Sequence, residues 1–153
     1  MTNVMTDQIE ESVTVDAAPS RVWRVLTDPH ALGRLLGLEL PVSEFTPGGQ
    51  VKAKRAGPPH EGIALELVVE TMHLERVFSW HWHPFAVVVH HDYAAEPMTL
   101  VILELLPAGA GTRLTLVETG FDRLASPRRE EALDEHRRAW HEFLSEFRRV
   151  AVA

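Results

Sequence analysis

The stretch Pro127 to Val150, PRREEALDEHRRAWHEFLSEFRRV, decides the architecture. Taken in steps of three and four, Leu133, His136, Trp140, Phe143, Phe147 and Val150 form one stripe with Leu144 beside it, and Asp134, Arg138, Glu142 and Arg149 occupy the opposite side. This spacing predicts a long amphipathic helix with one buried face. Ser126 is placed to cap it, Pro127 suits the first helical position, where no N–H is needed, and Arg148 and Arg149 complement the negative end of the helix dipole. His136 is the one titratable group in the stripe, a turn before Trp140. A largely aromatic face with a single histidine suits a helix that lines a cavity; a plain core face is the commoner use of such a stripe.

Around that helix, composition narrows the class. With 153 residues, 45% of them hydrophobic, the chain can build one core and is short for two ordinary domains, so one domain over residues 1–153 is expected, ordered from about 9 to 150. No run approaches the roughly 18 apolar residues of a membrane span, and the start, MTNVMTDQIEES, lacks the basic and apolar regions of a secretory signal. Cysteine is absent, which excludes a disulfide framework and thiol chemistry and leaves no sign of an oxidising compartment. A cytoplasmic location is the expectation. A net charge of −7, with Lys52 and Lys54 the only lysines, argues against nucleic acid as a partner.

In chain order, Ile9, Val13 and Val15 alternate with Glu10, Ser12 and Thr14 as a half-buried strand. Pro19 opens a short helix burying Val22, Trp23, Val25 and Leu26, and Asp28-Pro29 caps and starts a second that runs to about Leu36. From Pro41 the period is two. Strands are expected at Val42 to Thr46, Gln50 to Ala56, Gly62 to Met72, Arg76 to His83, Met98 to Leu106 and Thr112 to Gly120. Turns fall at Pro47-Gly48-Gly49, Gly57-Pro58-Pro59 and Gly109-Ala110-Gly111. An antiparallel sheet with one apolar face must cover it, and the closing helix is the element long enough to do so. The fold class is therefore α+β, a curved antiparallel sheet wrapped around the C-terminal helix, with an apolar pocket wherever helix and sheet meet along one edge only.

This order of elements resembles the helix-grip fold of the START-like (SRPBCC) superfamily. More closely it is similar to the group named after the C-terminal domain of the activator of Hsp90 ATPase. The residues carrying the likeness are Ala18-Pro19-Ser20-Arg21-Val22-Trp23, Leu26-Thr27-Asp28-Pro29, Phe45-Thr46-Pro47-Gly48-Gly49 and Phe78-Ser79-Trp80-His81-Trp82-His83-Pro84. Asp92-Tyr93, Glu96-Pro97, Thr112 to Leu116, Glu118-Thr119-Gly120-Phe121 and Trp140 complete it, over about Ile9 to Val150. The resemblance implies the fold and an internal cavity for a hydrophobic or amphipathic small molecule; the superfamily includes lipid carriers, hormone-binding proteins and cyclases. Two departures from the family pattern, Leu35-Leu36 where relatives tend to have a tryptophan before a second large apolar residue and Arg138-Ala139 before Trp140 where relatives often have glycine, lie where the pocket is expected.

Within that frame, alternation puts Phe78, Trp80 and Trp82 on one face of their strand and Val77, Ser79, His81 and His83 on the other. The expected pocket is lined by Leu35, Phe78, Trp80, Trp82, Leu103, Leu116, Phe121 and Trp140, with ordinary core as the alternative for the aromatics. Leu114, Leu116 and Glu118 share a face, so a carboxylate points inward and must be paired, protonated or near water. His136 is its natural partner. Together they would place a polar ligand group or, in a cyclase- or hydrolase-type enzyme, act as base and acid. A chaperone- or protein-interaction module is the third reading. His81, His83, His90 and His91 invite a metal, but the loop from Pro84 to Pro97 carries no periodic geometry, so a polar surface is the reading kept and no metal site is assigned. No Gly-x-Ser-x-Gly elbow and no phosphate loop are present, and no cofactor is implied. Leu100 and Ile102, on the outward face of their strand, offer a surface for a homodimer.

Overall fold

The computed structural model describes residues 7–89 and 91–153. Alternation along the central strands builds its interior. Val101, Leu103 and Leu105 are fully buried and oppose Glu118, Leu116 and Leu114 across one ladder, while Trp80 and Phe78 oppose Val101 and Leu103 across the next. Seven strands take part: β1 (Ile9–Val15), β2 (Leu38–Glu39), β3 (Gln50–Arg55), β4 (Ala64–His73), β5 (Val77–Trp82), β6 (Thr99–Ala108) and β7 (Gly111–Thr119). Every pairing is antiparallel, and the order is β1-β7-β6-β5-β4-β3-β2. A bulge between Val69 and Thr71 on β4 adds to the bend, with Ser79 Oγ holding the Thr71 N–H at 3.2 Å.

Helices α1 (Pro19–Leu26) and α2 (Pro29–Leu36) follow β1, and both begin on proline as the sequence predicts. Asp28 Oδ2 accepts from the Ala31 N–H at 3.0 Å, and Gly37, at φ 71°, closes α2 in the left-handed conformation that leads directly into β2. Helix α3 (Arg128–Ala151) buries Leu133, His136, Trp140, Phe143, Leu144 and Phe147 against the concave face. Among the strands, it packs most extensively on β1, at one edge of the sheet. Arg21 of α1 donates to the carbonyls of Ala151 and Ala153, meeting acceptors that the end of α3 would otherwise leave open.

Two expectations are corrected. The second strand lies at Leu38–Glu39, not Val42 to Thr46. The latter segment runs irregularly across the end of the sheet with Phe45 as its buried anchor, 5.3 Å from Phe78 between ring centroids, and the Gly48 and Gly49 of the turn after it exchange hydrogen bonds with Val69 of β4. Ser126 does not cap α3. Pro127 takes the cap position, and the Ser126 hydroxyl donates to Glu130 Oε2 at 2.9 Å. Among the described residues, no helix is long and apolar enough to cross a membrane.

Candidate functional site

Strand β7 sends Leu114, Leu116 and Glu118 to the interior, so the strand that buries two leucines also buries a carboxylate. Glu118 is fully buried, a costly place for an anion unless its lone pairs are matched. They are matched from both sides. Oε1 accepts from Trp140 Nε1 at 2.7 Å and His136 Nδ1 at 2.6 Å, and Oε2 accepts from Thr99 Oγ1 at 2.6 Å and Trp82 Nε1 at 3.0 Å. Burial alone would push this carboxyl up, but the His136 imidazole and the hydrogen bonds from His136, Thr99 and Trp140 outweigh it and hold the group below the usual carboxylate value. One carboxylate thereby joins β5, β6, β7 and α3.

The far nitrogen of His136, Nε2, accepts the Phe85 N–H at 3.0 Å. An accepting nitrogen carries the lone pair, so the proton is assigned to Nδ1, which donates to Glu118. Both ring nitrogens are therefore engaged. Phe85 belongs to the loop after β5, and the loop is held at several further points. Arg128 of α3 donates to the carbonyls of Pro84 and Phe85, pairs with Glu96 at 3.1 Å and stands 5.2 Å over the Tyr93 ring. The Tyr93 hydroxyl accepts from the N–H groups of Val87 and Val88, and Arg55 Nε donates to Ala86 O at 3.1 Å.

Between this loop, α2, the ends of β3 and β4 and the middle of α3 lies a cleft of about 430 Å³. Its lining residues Leu38 and Arg55 come from β2 and β3, at the sheet edge opposite the one that α3 covers. Leu35 of α2, Leu38 of β2, Leu65 of β4, Trp82 of β5 and Trp140 and Phe143 of α3 supply its apolar wall. The polar members are Arg55, His60, His83, Glu135, His136 and Arg138. Burial pushes the Arg55 guanidinium below the ordinary arginine value, with Glu135 and Tyr93 acting against that.

Of the residues expected at a pocket, Leu35, Trp82, His136 and Trp140 line this cleft. Phe78, Trp80, Leu103, Leu116 and Phe121 do not; all are fully buried in the seam behind it. A ladder of rings links the two regions, with Phe78 to Trp80 at 5.2 Å, Trp80 to Trp82 at 5.6 Å and Trp82 stacked on Trp140 at 5.8 Å. Glu118 sits behind Trp82, His136 and Trp140 and does not reach the cleft surface.

His83 departs from expectation. Alternation assigns it to the outer face beside His81, but pairing ends at Trp82 and the chain turns, so His83 is buried and lines the cleft while His81 stays half-buried on the sheet. Burial pushes its pKa down. Two buried side-chain polar atoms among the described residues lack a hydrogen-bond partner, Trp80 Nε1 in the seam and His83 Nδ1 at the cleft. His91 pairs with Glu96 at 3.0 Å, and His90 lies outside the described residues. Among the described residues, no group of three His, Cys, Asp or Glu side chains is placed to hold a metal ion.

With this geometry in view, the family described as activator of Hsp90 ATPase homolog 1-like protein matches residues 16–151. The chain belongs to that family. Solved structures similar to this homolog 1-like chain include a protein from Arthrobacter aurescens, with a TM-score of 0.75 and 20% identity over 99% of this chain and 90% of the other. The Aha1 dimer from Colwellia psychrerythraea aligns with a TM-score of 0.66 and 13% identity, covering 92% of each chain. DynU16, from the dynemicin biosynthetic locus, aligns with a TM-score of 0.66 and 17% identity over 94% of this chain and 46% of that one. At such identities the likeness is one of fold, the START-like helix grip. A search of curated protein sequences finds no significant match.

Both departures from the family pattern fall on the cleft of this family member, where Leu35, Leu36, Arg138 and Ala139 are all lining residues. Sequence reasoning missed Arg55, His60, Phe85, Val87 and Glu135 there. For Arg55 a signal existed, since Val51, Ala53 and Arg55 share one face of β3 and the first two are buried. Phe85 and Val87 lie in a loop without periodicity.

Proposed function

We propose that this protein binds a small hydrophobic or amphipathic molecule in the cleft between α2, the open end of the sheet and α3. The observation that supports it is the cleft itself: about 430 Å³, walled by leucine and aromatic side chains beside a few polar groups. Small-molecule sites have this character and span roughly 300–1,000 Å³. The origin of DynU16 in a biosynthetic locus agrees with this reading. Glu118 and His136 act as supports in it. The carboxylate holds Trp82 and Trp140 by their indole nitrogens, so that both rings stand as cleft wall, and His136 ties the Phe85 lip to the same hub. A cyclase- or hydrolase-type role for the pair is less well supported, because both carboxylate oxygens and both imidazole nitrogens already have partners.

Titration with the neutral dye Nile red tests the proposal, with Trp82 and Trp140 emission as an internal reporter. Saturable binding to the wild type is expected, and its loss in Ala139→Trp, a change at an exposed helix position bordering the cleft. A wild type that does not bind the dye at saturating concentration removes the proposal. Homodimerisation is a second reading, supported by the dimeric Colwellia psychrerythraea relative and by β6, where exposed Leu106 lies on the same outward face as Leu100 and Ile102, with Glu104 between them. A sedimentation experiment at micromolar concentration that gives only monomer removes it.

A further inference from the structure

We infer that the molecule taken by the cleft is an amphipathic carboxylic acid, its carboxylate on Arg55 and its apolar body along Leu35, Leu65, Trp82 and Trp140. This rests on the cleft being the binding site. Strand β3 turns Val51 and Ala53 into the core, and by the same alternation its last residue would ordinarily be apolar. Instead it ends in a half-buried guanidinium on the cleft wall.

That guanidinium is incompletely matched. Nε donates to Ala86 O, no described residue accepts from the terminal nitrogens, and among the described residues no carboxylate forms an ion pair with it. Glu135, the carboxylate on the cleft wall, is engaged by Arg138. Glu135 acts on Arg55 only through space, with no ion pair or hydrogen bond between them, so the terminal N–H groups of Arg55 stay open. A partly desolvated cation with open donors is unfavourable until an anion reaches it. The two parallel N–H groups of a guanidinium fit the two oxygens of a carboxylate better than any single acceptor. His83 Nδ1, buried on the same wall with no partner, is a second polar atom that the folded chain leaves unmatched. The remaining wall offers apolar surface, which requires a hydrophobic body behind the acid group.

Decanoate and 1-decanol share a chain and differ in charge, so their comparison isolates the role of Arg55. Both are titrated into wild type, Arg55→Met and Ala139→Trp by calorimetry, with Nile red displacement alongside. The wild type is expected to bind the acid about tenfold or more tighter than the alcohol, the range of a charge-assisted hydrogen bond. Arg55→Met should lose that preference and bind acid and alcohol about equally, and Ala139→Trp should bind neither. Equal affinity for acid and alcohol in the wild type overturns the inference and leaves the binding site standing, as does a preference that survives in Arg55→Met. Failure of the wild type to bind either compound or the dye overturns the site itself. Should Arg55→Met not fold, the wild-type ratio alone decides.

Discussion

Glu118 and Arg55 are both charged side chains at inward positions of β-strands, and the fold treats them in opposite ways. The carboxylate is sealed in the seam beneath α3 and receives four donors from Trp82, Thr99, His136 and Trp140. The guanidinium stands on the cleft wall with one acceptor, Ala86 O. Apart from Trp80 Nε1, the seam is completed by its own side chains; the cleft is not. Groups that are satisfied internally serve stability, and groups left open beside apolar surface are where an outside molecule finds its contacts.

The sharpest way to break this comparison is to delete each charge. Glu118→Ala strands four buried donors and should cost about 3–5 kcal/mol in urea unfolding, as removal of one partner from a buried ionic network does. Arg55→Met gives up a single hydrogen bond while relieving the desolvation of a cation, so its cost should stay near about 1 kcal/mol or below. Equal losses from the two variants would mean that Arg55 is as much a structural member as Glu118. Truncating apolar side chains carries the contrast further. Phe78→Ala, in the fully buried seam, should cost about 3–5 kcal/mol, and Leu35→Ala, half-buried on the cleft, clearly less than that.

Acid sharpens it next. The folded Glu118 pKa lies below its unfolded value of 4.5, so the stability it contributes is complete above that value and is lost as pH falls through the folded pKa. His83 acts earlier. Its folded pKa is depressed from 6.5, so below that pH the unfolded chain takes up a proton that the folded one does not, and stability declines as pH falls. Denaturation series on wild type and His83→Gln should diverge below pH 6.5, the wild type losing more; parallel curves would show that His83 is solvated at the cleft. The smallest effect belongs to Ala139→Trp. It should move stability by no more than about 0.5 kcal/mol, as surface substitutions do, while removing ligand binding.

How much of this was legible depends on where periodicity held. The helix stripe, the inward face of β5 and the inward position of Glu118 followed from spacing alone, because a regular backbone repeats its orientation every 3.6 or 2 residues. The pairing of Glu118 with His136 followed because a buried carboxylate demands a partner and the stripe offered one. Periodicity misled at both ends of its range. Val42 to Thr46 alternates without being paired as a strand, and His83 stands one residue past the end of a ladder, where alternation no longer governs orientation.

The amino-acid sequence by itself determined the α+β helix grip, its order of elements apart from one short strand, and most of the side chains that face inward, since local spacing and the demand to bury one face of each element leave few alternatives. Only the tertiary structure decided which inward residues became seam and which became wall. Phe78, Trp80, Trp82 and Trp140 are alike in sequence terms, yet the first two are sealed in the seam and the latter two border a cleft of about 430 Å³. That division depends on where a rigid helix rests on a bent sheet, and on an aperiodic loop clamped by Arg55, Tyr93, Arg128 and His136, contacts that spacing along one chain does not encode.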